Sequence, residues 1–214
     1  MKVLLVDDHK IIRDGLRAIL ERQPDIHVVG EAAEGHEAIL IARATRPDVI
    51  VMDVSMRGLN GIDATARLKT EIPESRVIGL SMNADRRYVL AMLTAGAAGY
   101  LLKDSAADEL LRAVQMVAAG QTFLSPQITG IVIDRAVKSD LPAEVPAGAL
   151  TTREREVLQL LAEGRTSRDI GARLHIALST VETHRRQIMS KLKIRTIAEL
   201  TKYAIREGLT TLDA

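Results

Sequence analysis

The stretch IVMDVSM, residues 50–56, places a carboxylate directly after an apolar run. Residues 49–52 are four consecutive apolar residues, a pattern typical of a strand that is buried on both faces of a parallel sheet. Asp53 follows where that strand would end. In an open parallel sheet, ligands bind beyond the carboxyl ends of the strands. We therefore expect Asp53 to lie at the centre of the functional site.

Short apolar runs alternate with helix-period segments on both sides of this stretch, through residue 120. The strands that we predict cover residues 3–6, 27–30, 49–52, 77–80 and 99–102. Helical periodicity covers residues 11–22, 35–45, 62–70, 85–95 and 106–119. Five strand and helix units of this length predict a doubly wound, five-stranded parallel sheet of flavodoxin-like order.

Composition indicates a globular protein. The chain has 214 residues, of which 47% are apolar and 27% are charged, and it contains no cysteine. Disulfides and thiolate metal sites are therefore excluded. The first residues, MKVLLVDDH, are too short an apolar stretch for a signal peptide, and no run approaches the roughly 18 apolar residues of a membrane span. We expect a cytoplasmic protein without a membrane partner.

Charge is distributed unevenly along the chain. Residues 1–148 hold 17 basic and 20 acidic residues, a net charge of −3, whereas residues 149–214 hold 12 and 8, a net charge of +4. The basic residues concentrate between 179 and 195, where Glu182 is the one acidic residue. This asymmetry favours an acidic half joined to a nucleic-acid-binding half. The alternative for so small a basic cluster is a solvated helix face.

Polar side chains lie where the predicted strands end. They are Asp7, Asp8, Asp53, Ser81 and Lys103. Three carboxylates at one sheet edge would repel one another unless a cation neutralised them, and an all-oxygen site suits Mg²⁺. With the Lys103 ammonium nearby, Asp53 could then attack a phosphoryl donor. Taken alone, each of these residues is more typical of a solvated turn, and only their joint placement indicates a site.

Four motifs resemble the receiver domain of bacterial two-component response regulators: DDH at 7–9, VMDVSM around Asp53, LSMNA at 80–84 and AGYLLKD at 98–104. The resemblance implies that Asp53 is the phosphoacceptor and that a sensor histidine kinase is a partner. The Mg²⁺ ligands that it implies are Asp7, Asp8, Asp53 and the backbone carbonyl of Ser55.

The same resemblance implies a switch. The Ser81 hydroxyl would move to contact a phosphoryl oxygen, Lys103 would be the cationic partner of that group, and Tyr100 would change rotamer together with Ser81. A phosphate adds about two negative charges and three acceptor oxygens, which is enough to bias a two-state surface. The alternative for Tyr100 is plain packing in the core.

Two features depart from the receiver pattern. The family usually has proline four residues after the acceptor, whereas this chain has Arg57, followed by Gly58. We expect a less rigid loop there, with Arg57 pointing to solvent rather than contacting phosphate. The phosphoryl lifetime in the family depends on the residues at positions 55 and 83, here Ser55 and Asn83.

The pattern changes after residue 122. Residues 125–138 begin with Ser and Pro, which can start a helix. Residues 139–149, SDLPAEVPAGA, hold two prolines and a glycine, which disfavour regular structure. We therefore predict a receiver domain at 1–122, a linker with a helix at 123–148 and a second domain at 149–214.

Helix signals fill the second domain. Thr151 with Glu154, and Thr166 with Asp169, have the spacing of capping boxes, so we expect a helix to begin at each. Further helices are predicted at 180–192 and 197–207. A helix, a short helix, a tight turn and a basic helix form a helix-turn-helix arrangement.

The segments LTTREREVLQLLAEGRTSRDIGARL and STVETHRRQIMSKL resemble the DNA-binding domain of the NarL/FixJ (LuxR-type) regulators. By position, the residues expected to face base edges are Glu182, Thr183 and Arg186. Candidates for phosphate contacts are Arg185, Lys191 and Lys193. The partners implied are double-stranded DNA, a second copy of the chain when it is phosphorylated or DNA-bound, and, as a further candidate, RNA polymerase.

This domain also departs from its pattern. Ala177 stands where the family usually has a serine cap, a loss worth about 1 kcal/mol. Ser179 and Glu182 offer an alternative capping box, in which Glu182 would cap the helix instead of reading a base. Gly171, where the family favours alanine, is expected to weaken its helix by up to about 1 kcal/mol.

Three functions fit these patterns to different degrees. The main hypothesis is a phosphorylation-dependent transcriptional regulator, not an enzyme. An alternative is a DNA-binding regulator whose receiver only dimerises or binds a partner. A distant third is a Mg²⁺-dependent phosphatase with an aspartyl nucleophile, which would generally need an acid where this chain has Ser55.

Overall fold

The computed structural model describes residues 1–82, 84–105, 107–138 and 150–210. The chain divides into two compact units, Met1–Asp140 and Leu141–Ala214. The predictions for Asn83 and for residues 139–149 lie outside the described residues. Within the described part of the chain, no helix is long and apolar enough to cross a membrane.

The first unit is built on a parallel sheet. Its strands are β1 (Lys2–Val6), β2 (His27–Ala32), β3 (Val49–Asp53), β4 (Arg76–Ser81), β5 (Gly99–Leu102) and β6 (Phe123–Leu124). Their order is β2-β1-β3-β4-β5-β6, and every pair is parallel. This confirms the predicted doubly wound sheet. The sixth strand was not predicted, because two residues are too short to show a strand pattern.

Helices cover both faces of this sheet. They are α1 (Lys10–Leu20), α2 (Gly35–Thr45), α3 (Gly61–Glu71), α4 (Arg86–Thr94), α5 (Ala107–Ala118) and α6 (Pro126–Lys138). Alternate residues of β3 enter different layers: Ile50 and Met52 pack in one buried cluster, and Val49 and Val51 pack in the other. Successive side chains of a strand point to opposite faces, so a strand between two helical layers must be continuously apolar.

In the second unit, the described residues 150–210 form helices and connecting turns without a strand. It contains α7 (Thr152–Ala162), α8 (Ser167–Leu174), α9 (Leu178–Leu192) and α10 (Ile197–Arg206). The capping boxes predicted at Thr151 and Thr166 are both present. A third box, Thr196 with Glu199, caps α10 and was missed, although its spacing is visible in the sequence.

The turn before α9 corrects one prediction. The helix begins at Leu178, two residues earlier than expected, and Ala177 is its N-cap residue without a side-chain hydrogen bond. The alternative box of Ser179 and Glu182 does not form, because Ser179 already lies inside the helix. Its carbonyl instead accepts a hydrogen bond from the Thr183 hydroxyl at 2.9 Å.

Candidate functional site

The strand ends bring the predicted acidic residues together with one lysine. Lys103 Nζ lies 2.6 Å from Asp7 Oδ2 and 3.0 Å from Asp53 Oδ2. Asp7 follows β1, Asp53 is the last residue of β3, and Lys103 follows β5. All three are nearly inaccessible to water, with side-chain exposures of 0%, 3% and 6% for Asp7, Asp53 and Lys103. The site is therefore a buried cation between two buried carboxylates.

Burial governs the protonation of this cluster. Desolvation and the neighbouring Asp7 charge raise the pKa of Asp53 to about 6, although Lys103 partly opposes them. Burial acts to lower the pKa of Lys103, but the charges of Asp53 and Asp7 outweigh it, so that its pKa is raised. Lys103 therefore stays charged at neutral pH. Asp53 is mostly ionised there, and its negative charge is only partly offset by Lys103, which it shares with Asp7.

The loop after β1 orients the acidic pair. The His9 amide donates to Asp7 Oδ1 at 2.9 Å, and His9 Nδ1 lies 2.8 Å from Asp8 Oδ1. On the neighbouring strand, the Ser55 amide donates to Asp53 Oδ1 at 3.2 Å. One ligand atom from each of Asp7, Asp8, His9 and Asp53 lies within 4.8 Å of the others.

Two buried oxygens in this cluster fit a bound cation. Asp7 Oδ2 and Asp8 Oδ1 are inaccessible to water, yet neither accepts a hydrogen bond of regular geometry from the described residues. Lys103 Nζ lies 2.6 Å from Asp7 Oδ2, and His9 Nδ1 lies 2.8 Å from Asp8 Oδ1, so each of these oxygens has one basic neighbour and keeps capacity to bind a cation. Carboxylate oxygens that converge on one site are the ligands that a hard divalent ion prefers. The residues present therefore fit Mg²⁺.

Ser81 and Tyr100 link this site to the core. Ser81 ends β4 and is 5% exposed, whereas Tyr100 on β5 is fully buried. Their side chains are hydrogen bonded, and burial is the main cause that raises the pKa of Tyr100 to about 12. Tyr100 thus packs in the core and also contacts the predicted switch residue. Arg57 is exposed, and Gly58 beside it has a positive φ of 80°.

The predicted DNA-binding residues lie along α9 and at its C-terminal end. Thr183, Arg186 and Lys193 are exposed, and Arg185 is half-buried. Glu182 accepts a hydrogen bond from the Ser167 hydroxyl of α8 at 2.5 Å. This contact joins the helix before the turn to the helix after it, and no local sequence pattern predicts it.

Lys191 has a partner inside its own domain. Its Nζ lies 2.6 Å from Glu154 Oε2, and Glu154 is 3% exposed. The same oxygen accepts the Thr151 amide at 2.7 Å, so one carboxylate both caps α7 and holds the end of α9. The residues are 37 apart in the chain, which is why sequence reasoning assigned Lys191 to DNA alone.

Both halves of the chain match known protein families. The family model for the response regulator receiver domain matches residues 3–115, and the model for bacterial regulatory proteins of the luxR family matches residues 148–204. The chain is 41% identical to the transcriptional regulatory protein LiaR of Bacillus subtilis (strain 168) over 209 residues, 98% of this chain and 99% of that protein.

Solved structures agree with these matches. A LuxR-family two-component response regulator from Aurantimonas sp. SI85-9A1 is 37% identical, with a TM-score of 0.61 over 64% of this chain and 97% of that one. The response regulator RcsB in a DNA complex is 27% identical, with a TM-score of 0.59 over 95% of this chain and 96% of that one.

Proposed function

Because the chain belongs to the two-component response regulators of the NarL/FixJ family, we propose that phosphorylation of Asp53 switches its binding to DNA. Members of this family join a receiver domain to a LuxR-type DNA-binding domain, and the chain is a phosphorylation-dependent transcriptional regulator of that kind. The family implies DNA and a sensor histidine kinase as partners. The single observation that supports Asp53 as acceptor is its place beside Lys103 and Asp7, at the end of β3.

The proposed chemistry is a phosphoryl transfer. An Asp53 carboxylate oxygen attacks the phosphorus of a phosphohistidine, the P–N bond breaks, and the electron pair leaves with the imidazole nitrogen. Lys103 stabilises the charge on the phosphoryl oxygens, since its ammonium already lies 3.0 Å from Asp53 Oδ2. Asp7, Asp8, Asp53 and the Ser55 carbonyl would hold Mg²⁺, which when bound neutralises the remaining charge.

Ser81 and Tyr100 are the proposed route by which phosphorylation is sensed. A serine hydroxyl has a single proton to donate. A move of the Ser81 hydroxyl toward a phosphoryl oxygen on Asp53, to which it would donate this proton, would change its hydrogen bond with Tyr100. Because Tyr100 is fully buried, a change in its contacts must alter the packing around β5.

The proposed DNA contacts follow the exposure of α9. Thr183 and Arg186 are exposed and are assigned to base edges together with Glu182; Arg185, Lys191 and Lys193 are assigned to phosphates. Dimer formation on DNA, contact with RNA polymerase and a cytoplasmic location stay predictions. In support of a dimer, structures of RcsB include two dimers bound to two parallel DNAs.

Labelling the full chain tests the acceptor. With acetyl phosphate and Mg²⁺, wild type should incorporate one phosphoryl group, and Asp53→Asn should incorporate none. Equal labelling of the variant would contradict the assignment. Selection of bound DNA fragments with and without the donor then tests the switch. Equal affinity in both conditions would favour a regulator whose DNA binding does not depend on phosphorylation.

A further inference from the structure

Arg13 lies outside the predicted site, yet its side chain contacts the backbone of the acidic pair. One terminal nitrogen of its guanidinium donates to the Asp7 carbonyl at 2.6 Å, and its Nε donates to Glu31 Oε2 at 3.1 Å. The side chain is only 13% exposed. Arg13 belongs to α1 and Glu31 to β2, so this nearly buried cation joins three elements: α1, the end of β1 and β2.

The contact completes a set of bonds that fix Asp7. Its amide donates to the Ala32 carbonyl at 3.1 Å, its Oδ1 accepts from the His9 amide, and its Oδ2 lies against Lys103. The Asp7 carbonyl belongs to the peptide that joins the two acidic residues. Because Arg13 holds that peptide in one orientation, it also sets how the two carboxylates are placed relative to each other.

An arginine is suited to this double contact. Its guanidinium is planar and presents several donors in a fixed fork, so it can bind a carbonyl and a carboxylate at the same time. A lysine carries its donors on one nitrogen and would satisfy both partners less well. Glu31 holds the Arg13 guanidinium through Oε2, and Arg17 Nε in turn donates to its other oxygen, Oε1, at 2.7 Å.

Arg17 offers a matched control on the same helix. Its polar contacts among the described residues are with Glu31 and with Glu21, the latter at 2.9 Å. Arg13 and Arg17 therefore share a carboxylate partner and the same helix. They differ in that only Arg13 reaches the Asp7 carbonyl.

We propose that Arg13, braced by Glu31, is a positioning residue for the Asp7 and Asp8 carboxylates, and that it sets the affinity of this site for Mg²⁺. The inference rests on the proposed function, because it takes this cluster to be the metal site. A pair of carboxylates that is already oriented loses less conformational freedom when an ion binds. Outer partners of metal ligands typically change metal affinity by about 10–100-fold when they are removed.

The test is a calorimetric Mg²⁺ titration of the full chain at constant ionic strength. Arg13→Ala should raise the Mg²⁺ Kd by about 10–100-fold, whereas Arg17→Ala should change it by less than about threefold. Arg13→Lys should fall between wild type and Arg13→Ala. Labelling by acetyl phosphate should slow at low Mg²⁺ in Arg13→Ala and recover at saturating Mg²⁺, since Arg13 touches no reacting atom.

Thermal unfolding without Mg²⁺ provides the structural control. Arg13→Ala loses an ion pair with Glu31 and a hydrogen bond to the Asp7 carbonyl, and Arg17→Ala loses ion pairs with Glu31 and Glu21, so both should lower Tm while only Arg13→Ala weakens Mg²⁺ binding. Equal Mg²⁺ affinities for the two alanine variants would overturn the positioning role of Arg13 but leave the metal site itself in place. Absence of Mg²⁺ binding by wild type would overturn the metal site together with this inference. If Arg13→Ala does not fold, Arg13→Lys decides, and a wild-type Kd in that variant counts against the proposal.

Discussion

The acidic site and the DNA-binding helix hold their charges in opposite ways. Asp7, Asp53 and Lys103 are almost completely buried, and Lys103 Nζ lies within 3.0 Å of both carboxylates. On α9, Arg186 is exposed, as is Lys193 at the end of that helix. A buried charge cannot lose its partner without a large cost, whereas an exposed charge is solvated and screened by salt.

The difference in burial between the acidic site and α9 fits the two functions proposed for them. Under the proposed function, a phosphate that arrives at the buried cluster would force a rearrangement, because Asp7 and Asp53 are already paired with Lys103. The exposed residues of α9 are proposed to contact an extended polyanion, to which each would add its own contribution. Lys191 departs from this division, since it lies in the basic segment but is paired with the buried Glu154. Substitutions should therefore have effects that follow burial rather than charge alone.

Lys103→Met should have the largest effect. It leaves Asp7 and Asp53 side by side and buried without a cation, which should lower the free energy of unfolding of the receiver domain by on the order of 3 kcal/mol. Urea unfolding without Mg²⁺ measures the change. A decrease in the free energy of unfolding below about 0.5 kcal/mol is typical of surface positions. It would mean that the charges of the cluster are solvated like those of α9.

Asp53→Asn should have the opposite sign. The pKa of Asp53 is raised to about 6 by burial and by Asp7, so the folded state favours its protonated form. In the metal-free wild type, this contribution to stability is present below the ordinary carboxyl pKa and is lost as pH rises through about 6. We therefore expect the variant to be more stable at pH 7.5 by about 1–3 kcal/mol.

Urea unfolding of both proteins at several pH values checks this prediction. The advantage of Asp53→Asn should shrink as pH falls from about 7.5 to 4.5, because the wild-type carboxyl becomes protonated over that range. If Asp53→Asn were more stable than wild type by the same free energy of unfolding at pH 7.5 and at pH 4.5, the substitution would act through packing rather than through charge.

Lys191→Gln and Lys193→Gln form a matched pair, because each removes one positive charge near the end of α9. Lys191→Gln takes the cation from the buried Glu154 and should lower the stability of the C-terminal domain by about 1–2 kcal/mol. Lys193→Gln, at an exposed position, should change it by less than about 0.5 kcal/mol.

DNA binding at several salt concentrations separates the two roles of these lysines. Lys193→Gln should reduce the salt dependence of binding by about one phosphate contact. Lys191→Gln should weaken binding with little change in that slope if its ion pair with Glu154 persists on DNA. If both variants reduced the salt dependence of DNA binding, Lys191 would contact a DNA phosphate as Lys193 does.

Ala177→Ser should increase the stability of the C-terminal domain by about 1 kcal/mol. Ala177 has the extended backbone of an N-cap residue, with φ −63° and ψ 148°, so serine can supply the missing hydrogen bond. Ala172→Ser on the exposed face of α8 is the control and should be neutral or slightly destabilising. Equal Tm values for the two variants would contradict a role for capping.

Local patterns predicted much of the fold and the composition of the candidate site. Short continuous apolar runs between helix-period segments located the five long strands, and the placement of Asp7, Asp53, Ser81 and Lys103 at strand ends indicated their common site. The two capping boxes were also visible, because a cap depends on residues three apart. The short strand β6 was not predicted, since it forms only by pairing with β5.

The sequence by itself determined which residues the strand ends bring together, because strands that alternate with helices form a parallel sheet, and the carboxyl ends of its strands lie at one edge. The tertiary structure alone decided what holds them. Arg13 meets the Asp7 carbonyl, and Lys191 meets Glu154 across 37 residues, through packing that no periodicity encodes. Gly171 shows the same principle: a Cβ there would lie 2.9 Å from the Ile176 carbonyl, so a residue that weakens its helix permits the turn into α9.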